Sequence, residues 1–239
     1  MTRAGRSSHS WTDMSEHVVH MAKGRNTHEA YDNIIGILGS RKIEARKPFG
    51  IARNAAPDPS SQCAACFSEI PVERLDRLAA RRIPGYPDGW HGIGFSKAMV
   101  IKRGGGPVLY AYFGTPHEIA VRELIQQAQI SQMPNDPIWR LTPLIDVPGA
   151  YKSQYYFEWE REWRHVGDFS FDISDVAFLV MPEKHHEAAR HFFADAYTEN
   201  IGPAYFCPFV DITWPRERIL CALASGSVAA PSRLPEGYR

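Results

Sequence analysis

Hydrophobic and polar positions alternate along this chain in short runs, and the runs are separated by longer stretches with helical spacing. The segment Glu16-His17-Val18-Val19-His20-Met21-Ala22 reads as a short strand. After it Thr27 has the character of an N-cap, and Ala30, Ile34, Ile37 and Leu38 share one face of a helix that stops at Gly39. A Pro-, Ala- and Asp-rich loop over 54–61 precedes a second apolar strand at 65–70. Pro71 then opens a helix with Val72, Leu75 and Ala79 inward, ended by Pro84-Gly85. Strands follow at 92–96 and 107–113, parted by the turn Gly104-Gly105-Gly106. Thr115-Pro116-His117-Glu118 has the form of a capping box, and Ile119, Leu124, Ile125 and Ala128 continue its helix. A long proline-punctuated connection covers 131–150. Later come a buried strand at 176–181, a helix opened by Pro182 with Ala189, Phe192, Phe193 and Ala196 inward, and a last strand within 205–213. Strands and helices alternate unevenly and several strands lack a crossover helix, which predicts an α+β fold with a mixed β-sheet and flanking helices.

The densest pattern lies at Tyr155-Tyr156-Phe157-Glu158-Trp159-Glu160-Arg161-Glu162-Trp163-Arg164, where a carboxylate recurs at every second position inside an aromatic run. As one strand, it would line Glu158, Glu160, Glu162 and Arg164 along one face and the tryptophans along the other. Neighbouring carboxylates repel, so such a row is either a solvated edge that discourages strand pairing or a site that holds positive charge. A helix is the third arrangement, because Glu158 and Glu162, like Trp159 and Trp163, are four apart.

Length and charge narrow the classes. At 239 residues the chain is long enough for one domain with its own core, and we place that domain at 16–224, with a flexible N-terminus at 1–15 and a flexible tail at 225–239. Lys and Arg equal Asp and Glu at 27 each, so no global field recruits nucleic acid or an anionic membrane. No apolar run has the length of a membrane span, and the polar start lacks the apolar core of a signal peptide, so a cytoplasmic protein with no membrane partner is expected. Cys63 and Cys66 have the spacing of half a zinc site, but Cys207 and Cys221 are far apart, and whether the close pair binds metal is left open.

Other candidate chemistry is weaker. Gly104-Gly105-Gly106 has no following Gly-Lys-Ser/Thr and is read as a turn. Ser68 and Ser96 lack the Gly-x-Ser-x-Gly setting of a serine hydrolase. Glu162-x-x-His165 and Glu183-x-x-His186 have di-iron spacing, but that chemistry needs four facing helices, and His185, His186 and His191 read as the solvated side of the 182–197 helix. No metal is expected.

The motifs Cys66-Phe67-Ser68-Glu69-Ile70-Pro71, Gly92-Ile93-Gly94-Phe95-Ser96-Lys97 and Glu160-Arg161-Glu162-Trp163-Arg164, in that order, resemble the AbiGi-type abortive-infection proteins over roughly 17–215. That resemblance implies phage defence or a toxin and antitoxin pair. More distantly, a strand histidine, a following helix and a late glutamate resemble the layout of DarT-like ADP-ribosyltransferases, which implies a split sheet and NAD as substrate. Carried over, the resemblance makes Glu162 or Glu160 the catalytic acid and His20 the ribose-binding histidine, with Arg53 on phosphate and Phe67, Ser68 and Tyr110 in the NAD site. His20 is followed by Met21-Ala22, a departure from the threonine that the DarT-like group carries two positions on. Two functions remain in view. One is an NAD-dependent transferase or NAD-cleaving enzyme with a nucleic-acid or protein acceptor. The other is a non-enzymatic antitoxin or sensor whose aromatic and acidic face meets its cognate toxin.

Overall fold

The computed structural model describes residues 14–22, 24, 27–82, 90–149 and 158–226. The elements, in chain order, are β1 (His17–Ala22), α1 (Thr27–Ser40), β2 (Lys42–Ile43), β3 (Ala64–Ser68), α2 (Leu75–Arg82), β4 (His91–Ser96), α3 (Lys97–Lys102), β5 (Gly106–Pro107), β6 (Leu109–Tyr110) and α4 (Pro116–Ile130). They continue with α5 (Ile138–Leu141), β7 (Ile145–Asp146), β8 (Glu162–Val166), β9 (Phe169–Ser170), β10 (Val176–Val180), α6 (His186–Thr198), β11 (Phe209–Val210) and α7 (Arg216–Ser225). The result is the mixed α+β architecture that the alternation predicts.

Seven strands form the main sheet in the order β11-β10-β4-β1-β3-β8-β5. Its pairings are antiparallel except for the parallel β10 and β11. Alternating side chains make two cores. Val18, Phe67, Phe95, Trp163 and Leu179 pack on one side with Ile34 and Leu38 of α1 and Phe193 of α6. Val19, Phe178 and Val180 pack on the other with Leu75 of α2 and Ile219 of α7. A smaller cluster of Ala52, Ile125, Ala128, Ile138 and Trp139 holds α4 and α5 together.

Several elements differ from their sequence patterns. The acidic row is not one strand: Glu158–Glu160 is a 3-10 turn, Arg161 is left-handed at φ 45°, and β8 begins only at Glu162. A left-handed residue between the turn and the strand interrupts the two-residue alternation, so the three glutamates do not share a face. Tyr155, Tyr156 and Phe157 lie outside the described residues, as do most of the two end segments and the side chain of Thr27. The 107–113 strand is two short pieces, and α3 fills a stretch in which no helix was expected; there Ser96 accepts a hydrogen bond from the Met99 amide at 3.2 Å. Only Phe209–Val210 of 205–213 is strand. The capping box before α4 does not close. The Thr115 hydroxyl donates to the Tyr112 carbonyl, while Glu118 accepts from the Gly114 amide and pairs with Arg122. Ile119, Leu124 and Phe192 are exposed, and Ile125, Ala128 and Phe193 supply the inward faces.

Candidate active site

The geometry of the site begins where β1 meets β3. β1 and β4 match at six register pairs, but β1 and β3 meet at one, Val19 opposite Ser68. Next to that pair the His20 side chain ties β1 to β3, with Nδ1 2.8 Å from the Cys66 carbonyl oxygen. A carbonyl can only accept, so the imidazole carries a proton on Nδ1. Phe67 meets His20 edge-on at 6.0 Å and also packs on Phe95 and Phe169, which makes it the core floor beneath the histidine.

On the other side of β3 a carboxylate group assembles. Ser68 lies opposite Glu162 in the β3–β8 register and donates its hydroxyl to the Glu160 carbonyl at 2.7 Å. Glu160 is 6 % exposed, at the end of the turn that precedes β8. Glu162 is gripped by Arg164, whose Nε and Nη2 donate to its two oxygens at 3.1 and 2.8 Å. That arginine is 1 % exposed; it also donates to Asp146 at 2.6 Å and to the Pro143 carbonyl at 2.8 Å, and lies over the Phe49 ring. Burial opposes the charge on Arg164, but Glu162 and Asp146 outweigh it and raise the pKa well above the ordinary arginine value. One arginine thus stands between two carboxylates.

Tyr110 completes this group. Its phenol oxygen accepts from the Glu162 amide at 3.4 Å, and burial, aided by the neighbouring Glu162 charge, pushes its pKa up to about 12, so the hydroxyl stays protonated. Glu158 accepts from the Tyr112 hydroxyl at 2.6 Å at the exposed margin.

Ser68, Glu160, Glu162 and Tyr110 are therefore brought together, and His20 and Phe67 form a second group. Alternation sets the two groups on opposite sides of β3. Arg53 joins neither: it is exposed in the turn after Gly50, next to the α4–α5 cluster. Asp146 was not foreseen, because it sits in the long connection, where no periodicity or motif marks it. His185 and His186 are also not on a solvated helix face: His185 packs near Tyr31 and His91, and the His186 Nε2 donates to the Met181 carbonyl at 3.0 Å. Among the described residues no group of three or more His, Cys, Asp or Glu side chains is placed to hold a metal, and no helix is long and apolar enough to cross a membrane. His165 lies on the opposite side of β8 from Glu162, with Nε2 3.0 Å from the Arg103 carbonyl.

No family model and no curated protein matches the chain. Among solved structures it is similar to Thermus sp. 2.9 DarT in complex with NAD+, at 13% identity and a TM-score of 0.40, covering 82% of this chain and 94% of that one. The same protein in complex with carba-NAD+ gives 12% identity and a TM-score of 0.38 over the same shares. Both likenesses are faint.

Proposed function

We propose that this protein cleaves the glycosidic bond of NAD and passes the ADP-ribosyl group to an acceptor or to water. The observation that carries the reading is the Glu162 carboxylate, gripped at both oxygens by the buried Arg164, with Glu160 in the turn that leads into the same strand. In this reaction the bond between ribose C1′ and the nicotinamide nitrogen breaks. The electron pair goes to the ring nitrogen and neutralises its charge, while positive charge spreads over C1′ and the ribose ring oxygen. An acceptor oxygen or nitrogen then bonds to C1′ and loses a proton. A fixed carboxylate in a site shielded from water stabilises that developing cation. Arg164 grips the Glu162 carboxylate at both oxygens, and Glu160 is presented by the turn that Ser68 secures. The Tyr110 hydroxyl stands beside Glu162, its oxygen 3.4 Å from the Glu162 amide.

His20 lies on the face of β3 opposite Glu162 and ties β1 to β3 through the Cys66 carbonyl, so the reading rests on the glutamates and not on the histidine. Arg53 is exposed in the turn after Gly50, and a phosphate contact by it rests on the resemblance alone. The acceptor is a nucleic acid or a protein, and the biological setting a phage-defence or toxin–antitoxin system in which a cognate antitoxin silences the enzyme. The resemblance to abortive-infection proteins supports that setting.

The test is release of nicotinamide from NAD by the purified chain. Glu160→Gln and Glu162→Gln should each lower the rate by about 10²- to 10³-fold while the fold survives. Wild-type rates in both variants, or no release by wild type with any nucleic-acid or protein acceptor, would exclude the reading.

A further inference from the structure

We infer that Ser68 is a positioning residue, which sets the turn bearing Glu160 and does not contact substrate; this rests on the NAD-cleaving reading. The hydroxyl is already engaged on two sides. It donates to the Glu160 carbonyl at 2.7 Å and accepts from the Ile70 amide at 3.3 Å. Ser68 is 8 % exposed, which leaves its oxygen little room for a ligand.

The turn it grips needs an external anchor. Glu158–Glu160 closes through the Arg161 amide donating to the Glu158 carbonyl at 3.1 Å, and Arg161 then adopts φ 45°, a conformation that side-chain-bearing residues adopt at a cost. A strained residue persists only where its surroundings hold it. Two bonds from β3 do so: the Glu69 amide donates to the Arg161 carbonyl at 3.0 Å, and Ser68 donates to the Glu160 carbonyl one residue earlier. The Glu69 side chain is itself fixed, accepting from the Trp163 indole at 2.7 Å and pairing with Lys97. Ser68 also lies opposite Val19, the one register pair that joins β1 to β3. The same side chain therefore sits where β1 pairs with β3 and where the turn with Glu160 is attached. Removing its hydroxyl frees the Glu160 carbonyl while leaving the backbone bond at Glu69.

The test compares Ser68→Ala and Ser68→Thr with wild type by hydrogen exchange, nicotinamide release and calorimetric NAD binding. In Ser68→Ala the 158–162 segment should exchange faster while β4 and β10 exchange as before. Its turnover should fall by about 10²-fold with the NAD dissociation constant held within about threefold. Ser68→Thr, which keeps the hydroxyl, should recover most of the turnover. Unchanged exchange at 158–162 in Ser68→Ala overturns the inference, as does NAD binding that weakens as much as turnover falls, since that would make Ser68 a ligand contact. Should wild type release no nicotinamide, the NAD-cleaving reading fails by itself, and the exchange comparison alone decides whether Ser68 anchors the turn.

Discussion

His91 departs furthest from the rule that buried polar groups find partners. It is 0 % exposed at the start of β4, and neither ring nitrogen has a hydrogen-bond partner. Tyr31 and His185 stand 5.6 and 6.1 Å away, ring to ring. Burial, helped by His185, pushes its pKa down to about 4. The unfolded chain takes up a proton near pH 6.5, so the native state loses stability as pH falls from there toward 4 and keeps all of it above 6.5. A shift of this size corresponds to a loss on the order of 3 kcal/mol. Urea unfolding of wild type and His91→Phe at about pH 7.5 and about pH 4.5 checks it: the variant should lose much less on acidification. Equal losses would place the acid sensitivity elsewhere. His17 and His186, both lowered chiefly by burial, supply a slope of the same sign that remains in the variant. Arg164 gives a second prediction at this scale. Arg164→Met strands Glu162 and Asp146 and should cost about 3–5 kcal/mol, and adding Glu162→Gln should return part of that, read as a non-additive change in denaturant midpoint.

At the scale of elements, what could be read from sequence depended on how local the determinant was. β1, β3, β4, β10 and α1 were legible because their apolar spacing matches one period over several residues. The break at Arg161 was not, because nothing in Glu-Arg-Glu distinguishes a left-handed arginine from one in a strand; the bonds that hold it come from β3, which is distant in sequence. The short helix α3 was hidden for a related reason. Its six residues are fewer than a periodicity window needs, and its cap, Ser96, is also the last residue of a strand. In the candidate site, Asp146 carries no signal in sequence because its place beside Arg164 is set by tertiary packing. Gly94 shows what element packing demands of sequence. A Cβ there would lie 2.3 Å from the Phe178 ring, which crosses the sheet over this position. Gly94→Ala should therefore destabilise by about 1–3 kcal/mol, and Phe178→Leu in the same chain should relieve part of the strain, measured as paired shifts in thermal midpoint. A Gly94→Ala protein as stable as wild type would mean that the ring moves freely.

For the whole molecule, the question is how the α4–α5 region is tied to the site. Gln62, fully buried, makes the joint: its amide donates to the Trp139 carbonyl at 2.9 Å, and its oxygen accepts from the Thr142 hydroxyl at 2.9 Å. Gly50 packs against the same place so closely that a Cβ there would come within 1.9 Å of the Thr142 carbonyl oxygen. From Thr142 the chain runs through Pro143 and Asp146, both of which bond the arginine that grips Glu162. Hydrogen bonds between Gln62 and Thr142, and between Arg164 and Pro143, Asp146 and Glu162, thus link Gln62 to Glu162, and sequence could not show it because Gln62 and Thr142 lie 80 residues apart. Gln62→Ala leaves the Trp139 carbonyl and the Thr142 hydroxyl without this partner, at a cost of about 1–3 kcal/mol. Because α4 is largely exposed outside its Ile125 and Ala128 face, the cost should appear as local opening of 116–146. In the variant, amides of α4, α5 and β7 should exchange faster while those of β1, β4 and β10 keep wild-type protection. If protection falls equally across the main sheet, the region is part of one cooperative unit with it. If the opening is local, turnover should fall in step with the fraction opened, since Asp146 and Pro143 then no longer hold Arg164 against Glu162.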